Sequence, residues 1–316
     1  MEPLHLAHAD ENPAGPFLVR REFASTALDV RRALVWLDNL IREALVAAAG
    51  SREPAAGSDP FRGLHISEAE VARLIEQPPG EPLLAARDLS ARVDALPVPR
   101  ALAPFVRACG LDDFDLATIL IASAPELDLR YERLYAYLQD DVERRRPTVN
   151  LVLDLLCGSL ASKIRGRAHF VSDAPLLRHR LIHLSASVAQ AEAPLLAQRV
   201  RLDPQVLAAL LGEASLDPRL ACACRLSRPV AVPAEGLVQA AARGLPELAR
   251  RYQKAGEPLR LYLQGGGSDD KRDAAACIAS ELGAALLHVD LARLLAAPLD
   301  FELALILVGR EASLKD

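Results

Sequence analysis

Long hydrophobic runs are missing from this 316-residue chain, although 51% of its residues are apolar. The longer apolar stretches, such as residues 284–287 and 303–308, fall far short of the roughly 20 residues that cross a bilayer. The first residues lack the basic and apolar regions of a signal peptide. The sequence therefore predicts a cytoplasmic protein without membrane contact, and its length allows two or more domains with buried cores.

Cysteine is scarce as well: the chain has five, and only Cys222 and Cys224 are close in sequence. An odd number with one C-x-C pair supports neither a disulfide framework nor a zinc site, and it favours buried thiols. His179 and His183 are four residues apart in a predicted strand, which separates them by roughly 13 Å, too far to share a metal. The sequence predicts no metal site and no catalytic residue, and a G-x-S-x-G nucleophile motif is missing too.

Lysine is scarce, and arginine supplies most of the positive charge. The formal net charge is −5, and lysine occurs only at Lys163, Lys254, Lys271 and Lys315. The overall charge therefore gives no signal for a nucleic-acid partner.

Periodicity and breaker residues divide the chain into five regions. They are a flexible N-terminus (1–22), a helical N-terminal region (23–100), a domain of helices and a hairpin (101–212), a helical connection (213–258) and an α/β region (259–316). The second region contains a long predicted helix, residues 24–49, and the connection contains one at about 237–252.

The third region is predicted to be a winged-helix domain. Helical periodicity marks residues 102–109, 113–124, 130–138, 148–157 and 159–166. The period then changes towards two in residues 177–184 and 195–202, which predicts a two-stranded hairpin. Tyr131 and Tyr135 share the apolar face of their helix and are predicted to be buried.

A winged helix raises the question of DNA binding. The candidate recognition helix, residues 148–157, carries Asp154 and no Lys or Arg, whereas a DNA-reading helix needs donors for bases and phosphates. The predicted hairpin carries four arginines, Arg178, Arg180, Arg199 and Arg201. Because charged exposed edges are usual in hairpins, these arginines do not by themselves indicate DNA. The pattern favours protein contact or internal packing, with DNA as the alternative.

The α/β region opens with a glycine-rich segment. A strand is predicted over residues 259–264 and a helix over residues 271–282, and between them the chain reads GGGSDDKR from 265 to 272. This layout resembles the phosphate-binding P-loop, G-x-x-x-x-G-K-[ST], in which backbone N–H groups and a lysine hold phosphates. The predicted cofactor-binding residues are Gly265, Gly266, Gly267, Lys271 and Arg272. A strand over 285–291 and a helix over 301–312 would extend this into a β-α-β-α order.

Two positions depart from the motif. Asp270 replaces the second glycine, and Arg272 replaces the Ser or Thr that would hold Mg²⁺. Asp269 and Asp270 would lie where the phosphates bind, and like charges about 4 Å apart repel by about 4 kcal/mol at an effective dielectric near 20. ATP is therefore the candidate cofactor of this segment, Mg²⁺ lacks its usual ligand there, and hydrolysis by this chain alone is not expected. It leaves open that the two carboxylates cap the helix and keep the loop empty.

Residues 114–141, FDLATILIASAPELDLRYERLYAYLQDD, are the most distinctive part of the chain. With residues 144–149 and 173–178, they resemble the winged-helix region of a bacterial AAA+ ATPase family that is often encoded beside extracellular contractile injection systems. In that family this region precedes a degenerate AAA+ module and a second, more complete one. Residues 286–291 and 299–304 resemble the segments after the P-loop. The resemblance implies that the acidic strand, sensors and arginine finger lie beyond residue 316, in a longer protein of which this chain is the N-terminal part or a truncated copy.

The sequence thus predicts a mainly α protein with a winged-helix domain, followed by a partial α/β P-loop domain of the AAA+ type. The predicted function is an adaptor or assembly module of an AAA+ ATPase that serves a contractile injection system. Its partners would be other proteins or a downstream AAA+ module, and a homo-oligomer is one possible assembly. A DNA-binding winged-helix protein and an inert scaffold without nucleotide binding are the alternatives.

Overall fold

The structure, a computed structural model, describes most of the chain. The described residues are 16–51, 68–85, 95–186, 192–213, 215–228, 244–255, 259–264 and 267–314. They form two compact units, Met1–Glu213 and Ala214–Asp316. No helix among these residues has both the length and the apolar character that a membrane span requires.

The first unit is mainly helical. Its helices are α1 (Pro16–Ser51), α2 (Glu68–Glu76), α3 (Ala103–Cys109), α4 (Asp113–Leu127), α5 (Arg130–Leu138), α6 (Val149–Leu156), α7 (Leu160–Gly166), α8 (Pro175–Arg178) and α9 (Pro204–Leu210). Strands β1 (Ile182–Ser185) and β2 (Arg199–Leu202) pair antiparallel, with Ile182 opposite Leu202. The predicted hairpin and the helices that precede it are present, but the strands are shorter than predicted, because residues 177–178 end helix α8 and residues 195–197 form a 3-10 turn.

Helix α1 is longer than the sequence predicts. It begins at Pro16, whereas apolar periodicity starts at Ala24, so the end of the region predicted to be flexible is helical. Proline suits the first turn because its missing N–H would have no partner there. The inward face of α1 is apolar, and its buried residues are Ala33, Leu37, Leu40, Ile41, Ala44 and Ala48.

Two tyrosines anchor the core of the first unit, as predicted. Tyr135 is fully buried and its hydroxyl donates to the carbonyl of Ile121 over 2.9 Å. Tyr131 donates to Asp38 Oδ1 of α1 over 2.8 Å, and Asp38 also binds Arg130. A buried hydroxyl without a hydrogen bond would destabilise the fold, and these bonds supply one to each tyrosine. The bonds of Asp38 also join α1 to α5.

The loop between α5 and α6 is held by one amide. Gln139 Nε2 donates to the carbonyls of Arg144 and Arg146 over 2.7 and 3.0 Å. Its Oε1 accepts from both the backbone N–H and the hydroxyl of Thr148, over 3.1 and 2.7 Å. Thr148 in turn caps α6 through the N–H of Leu151. These bonds therefore fix the conformation of the loop that precedes α6.

The second unit contains fewer regular elements among its described residues. They are β3 (Cys224–Ser227), α10 (Leu245–Ala255), α11 (Ser268–Leu282), β4 (Leu286–Val289), α12 (Leu291–Ala296) and α13 (Phe301–Leu314). Strands β3 and β4 pair antiparallel, with Cys224 opposite Val289. The predicted strand near 285–291 and the helices near 271–282 and 301–312 are present, and a P-loop domain of the AAA+ type is not confirmed.

The predicted strand at residues 259–264 is wrong. These residues have no regular structure, and Tyr262 is 88% exposed. The partner of β4 is β3, which precedes the glycine-rich segment instead of adjoining it. An alternating pattern becomes a strand only where it pairs with another strand, and residues 259–264 pair with neither β3 nor β4.

The core of the second unit is small and contains a buried ion pair. Leu220, Leu294 and Leu307 are almost fully buried in it. Arg310 donates to Asp217 Oδ2 over 3.0 Å, and Arg219 binds the same carboxylate over 2.6 Å. Burial opposes ionisation of Asp217, yet the bonds from Arg219 lower its pKa below the ordinary value.

The five cysteines are free thiols. Cys109, Cys157 and Cys224 are buried as predicted, whereas Cys222 is exposed and Cys277 is half-buried. Burial raises the pKa of the Cys157 and Cys224 thiols. Both therefore behave as small apolar core residues at neutral pH.

Candidate functional site

Helices α6 and α7 form a helix-turn-helix pair. They are joined by the three-residue turn Cys157, Gly158 and Ser159, the length and glycine content typical of this motif. The recognition helix of such a pair is the second one, which is α7. By this criterion the recognition position falls on α7 and not on residues 148–157, the segment that the sequence suggested; α6 has the stronger apolar pattern and α7 is the shorter helix.

Helix α6 is a core helix, as its sequence predicts. Six of its residues are buried: Val149, Leu151, Val152, Leu153, Leu155 and Leu156. Gly166 at the end of α7 permits the close approach of the two helices. A Cβ at this position would lie 2.8 Å from Leu153 Cδ2 and 3.3 Å from Cys157 Sγ. A larger residue would force the side chains of Leu153, Cys157 and Phe114 to shift.

The polar groups between the two helices are bonded to one another. Lys163 Nζ of α7 lies 2.6 Å from Asp154 Oδ1 of α6, and both side chains are largely buried. Asn150 donates to the other oxygen of Asp154 over 2.6 Å. Burial raises the pKa of Asp154 even though Lys163 opposes that rise. The lysine of α7 therefore stabilises the motif and is not available to an external partner.

The outward side of α7 is apolar with an arginine rim, and we call it the α7 surface (Leu160, Ile164, Arg165, Arg167). The side chain of Leu160 is 46% exposed and that of Ile164 is 61% exposed. Arg165 and Arg167 are exposed beside them. The α7 surface contains no amide or hydroxyl group that could read a base edge. Mixed apolar and arginine character is typical of protein interfaces.

A segment of the N-terminal region packs against the helix-turn-helix pair. Gly80 has a φ of +73°, and a Cβ there would lie 2.7 Å from Leu160 Cδ1, so its backbone touches the start of α7. Leu84 is buried, and the N–H of Leu83 bonds to the Asp154 carboxylate. DNA-binding helix-turn-helix motifs present the N-terminal residues of this helix to base edges. Here that end of the helix is flanked by the protein itself.

The hairpin adds positive charge near the motif in sequence. The pairing places Arg201 opposite His183 and Arg199 opposite Ser185, on the face away from the core. Arg178 and Arg180, which precede β1, are exposed as well. Residues 160–202 contain seven Lys or Arg and two Asp or Glu, in a chain with net charge −5. The charge of the chain is thus segregated, which the overall count does not reveal.

Asp112, Asp115 and His169 are the one group among the described residues with ligand atoms close enough to hold a metal, within 4.8 Å. The two carboxylates form a capping box at the start of α4, with bonds of 2.9 and 3.3 Å to each other's backbone N–H. His169 Nδ1 lies 2.8 Å from Asp115 Oδ1, and its ring stacks on Phe114 at 4.3 Å. The bond to Asp115 raises the pKa of His169 above its ordinary value. This arrangement joins α4 to the segment after α7.

The predicted nucleotide-binding residues surround the start of α11. Gly265 and Gly266 lie outside the described residues, and Gly267 is the N-cap of α11. The N–H of Gly267 donates to Asp270 Oδ2 over 3.1 Å. Arg272 pairs with Asp269 over 3.1 Å, and Lys271 is exposed. The helix start is thus capped by its own carboxylate, the arrangement that the sequence left open.

Comparison with known proteins supports the winged-helix assignment of the first unit. A family model described as a variant winged helix domain matches residues 30–223. No curated protein and no solved structure matches the chain. The match extends to neither AAA+ modules nor contractile injection systems. Because it covers more than half of the sequence, and because the helix-turn-helix pair and hairpin lie within it, the chain belongs to this variant winged-helix domain family.

Proposed function

We propose that this chain is a protein-binding adaptor, in which the winged-helix domain makes contacts through the α7 surface. The observation that carries the proposal is the exposure of Leu160 and Ile164 at the recognition position. Partly exposed apolar side chains rimmed by arginine favour a protein partner over the polar edges of bases. The internal pairing of Lys163 with Asp154 supports the same conclusion.

The adaptor belongs, in this proposal, to a cytoplasmic AAA+ ATPase that serves a contractile injection system. The resemblance of residues 114–141 to that family motivates it. Affinity capture of tagged protein from its own cells tests it, with wild type compared to Ile164→Asp. We expect AAA+ or tail-particle proteins in the wild-type sample and at least a fivefold loss with Ile164→Asp.

The matched control for this capture is Ile75→Asp, because Ile75 on α2 is also exposed, at 78%. The control variant should retain the partners. Equal capture by wild type and Ile164→Asp would contradict a role for the α7 surface. Recovery of no AAA+ or particle protein at all would contradict the wider assignment.

Nucleotide handling is proposed to lie mainly in a further AAA+ module, with Gly265, Gly266, Gly267, Lys271 and Arg272 a degenerate site for ATP. Its support is the bond between Asp270 and the N–H of Gly267, which uses a donor that phosphate would need. Calorimetric titration with ATP and Mg²⁺ tests the site, with Lys271→Ala as the comparison. Weak heat that Lys271→Ala abolishes would support a bound nucleotide. Identical heat from both proteins would remove ATP from this segment.

DNA binding is the second candidate, because the segment from α7 to the hairpin is basic. Gel shifts with duplex DNA at 50 and 200 mM salt distinguish the two candidates. Binding that falls steeply with salt and is lost in Arg199→Ala/Arg201→Ala would favour DNA. We expect no shift, because the N-terminal end of α7, which would have to reach base edges, is flanked by Gly80 and Leu83, although Arg165 and Arg167 could donate to guanine. A protein that binds neither DNA, nucleotide nor partners would fit the inert-scaffold alternative.

A further inference from the structure

The outward face of α1 is the second surface that differs from an ordinary solvated helix. We define the α1 stripe by its exposed residues: Leu28, Arg31, Arg32, Val35, Asn39, Arg42 and Val46. At 100° per residue these positions fall within a band about 100° wide, and they run about 27 Å along the helix. A band of that width is what an amphipathic helix normally turns towards a packing partner.

Apolar side chains run the length of the α1 stripe. Leu28 is 49% exposed, Val35 is 52% exposed and Val46 is 64% exposed. Their spacings of 7 and 11 residues keep them in line on one helix face. The opposite face of α1 is already packed against the core through residues such as Leu37 and Ile41. The stripe thus gives α1 a second face with apolar residues. A surface helix that packs on the core by one face has polar residues on the other.

The charge of the α1 stripe has one sign. It contains Arg31, Arg32 and Arg42 and no Asp or Glu. Arg42 bonds to Asn39 over 2.7 Å, and that neutral amide orients the guanidinium without compensating its charge. The stripe therefore presents positive charge among its apolar residues.

The acidic residues of α1 explain why the stripe is purely basic. Asp38, which lies beside the stripe, binds Arg130 and Tyr131 of α5. Asp29 lies 3.8 Å from Arg100, which belongs to the segment before α3. Glu43 is half-buried at the edge of the band. Asp29 and Asp38 thus bond to other elements of the unit, whereas Arg31, Arg32 and Arg42 are exposed.

From these observations we propose that the α1 stripe is a docking surface for an acidic amphipathic helix of another protein. Leucine-like residues of the partner would pack along Leu28, Val35 and Val46, and its carboxylates would pair with the flanking arginines. A second copy of this chain fits poorly, because two stripes would bring arginines against arginines. The proposal does not depend on the α7 surface.

The test uses two synthetic 21-residue helices and the intact protein. One peptide has Leu at the first and fourth positions of each heptad and Glu at the charged positions, and its twin carries Lys instead of Glu. Trp36 is the only tryptophan of the chain and lies on α1, half-buried, so its fluorescence reports binding at this helix. Calorimetry gives an independent affinity. We expect the acidic peptide to bind, more weakly at high salt, and the basic peptide to fail.

Three variants locate the binding. Val35→Asp should weaken the acidic peptide about tenfold or more, whereas Val71→Asp, at an exposed valine of α2, should leave it unchanged. The charge reversal Arg31→Glu/Arg32→Glu/Arg42→Glu should transfer binding from the acidic to the basic peptide. Circular dichroism must show unchanged helix content in each. Val46→Asp replaces Val35→Asp if that variant fails to fold.

Four outcomes would overturn the proposal. They are absence of acidic-peptide binding at 1 mM, equal binding of both peptides, equal loss in Val35→Asp and Val71→Asp, and unchanged preference after charge reversal. Binding to vesicles with 30% phosphatidylserine but to neither peptide would assign the stripe to a lipid surface instead. A dimer in sedimentation experiments that Val35→Asp dissociates would assign it to a second copy of the chain.

Discussion

Helices α1, α6 and α7 of the winged-helix unit and helix α11 of the second unit place their charged groups differently, although α13 of the second unit also buries Arg310 against Asp217. In the winged-helix unit, Asp38, Asp154 and Lys163 turn inward and bond to neighbouring elements. In the second unit, Asp269, Lys271 and Arg272 are exposed at the start of α11. Internal bonding of polar groups frees the outer faces of α1 and α7 for apolar and arginine residues. Exposed charge at α11 gives that helix a well-capped, solvated start and no comparable contact surface.

The largest expected effect is in the core of the winged-helix unit. Tyr135→Ala removes a fully buried ring, so we expect a loss of about 3–5 kcal/mol in the free energy of unfolding. Urea denaturation followed by circular dichroism measures it. Tyr137→Ala, at a residue that is 47% exposed on the same helix, should change the stability by less than about 0.5 kcal/mol. Similar losses in the two variants would contradict the observed packing of α5.

Lys163→Ala should cause the second largest loss in the free energy of unfolding. It leaves the largely buried carboxylate of Asp154 without its cation, which costs about 3 kcal/mol at neutral pH. Because burial already raises the pKa of Asp154, protonation relieves part of this loss in acid. Denaturation at pH 7 and pH 4 should show the smaller loss at pH 4. Lys254→Ala, at an exposed lysine of the second unit, serves as the control and should have no effect at either pH.

His169 provides a pH-dependent contribution to the same unit. Its folded pKa lies above the ordinary 6.5, so its stabilising effect is complete below pH 6.5 and is lost as the pH rises through the folded value. A charged hydrogen bond of this kind contributes about 1.5 kcal/mol. The melting temperatures of wild type and His169→Gln should therefore differ at pH 5.5 and converge by pH 9.

His179 supplies the comparison for that experiment. Burial and then Arg178 lower its pKa, so its protonated form is disfavoured in the folded protein. His179→Gln should therefore leave the melting temperature at acid pH unchanged or raise it, whereas His169→Gln should lower it. A His169→Gln difference that grows from pH 5.5 to pH 9 would rule out the assigned role of the bond to Asp115.

The smallest expected effect lies in the second unit. Asp270→Ala removes the carboxylate that accepts the N–H of Gly267, and loss of such a cap costs about 1 kcal/mol. Asp273→Ala, further along the same exposed face, is the control and should cost less. Hydrogen exchange in the first turn of α11 measures the difference. Equal protection in both variants would mean that Asp270 does not cap this helix.

Much of the winged-helix unit is predictable from sequence because its signals are local. Helical spacing located Tyr131 and Tyr135, and alternation located the hairpin. The recognition position was missed because α7 is too short to show a clear period, and its boundary depends on the turn at Gly158. That turn is a usable signal: two helical segments separated by three residues that include a glycine.

The second unit was less predictable because its sheet depends on a non-local partner. Residues 259–264 have an alternating pattern, yet β4 pairs with residues 224–227. The residues next to a strand in sequence do not determine which of two distant segments will pair with it. The contacts of Gly80 with Leu160 and of Leu83 with Asp154 share this character, since they join residues far apart in sequence. The α7 surface could not be delimited without them.

The single amide of Gln139 also has a consequence for kinetics. By bonding at both ends of the turn from Arg144 to Thr148, it removes conformational freedom from three consecutive arginines before any partner arrives. A mobile basic arm would have to lose that entropy on association. In this turn Arg144 and Arg146 are already paired with Asp141 and Glu126, so the ordered segment holds these charges inside the unit, and association elsewhere on the domain does not have to order it.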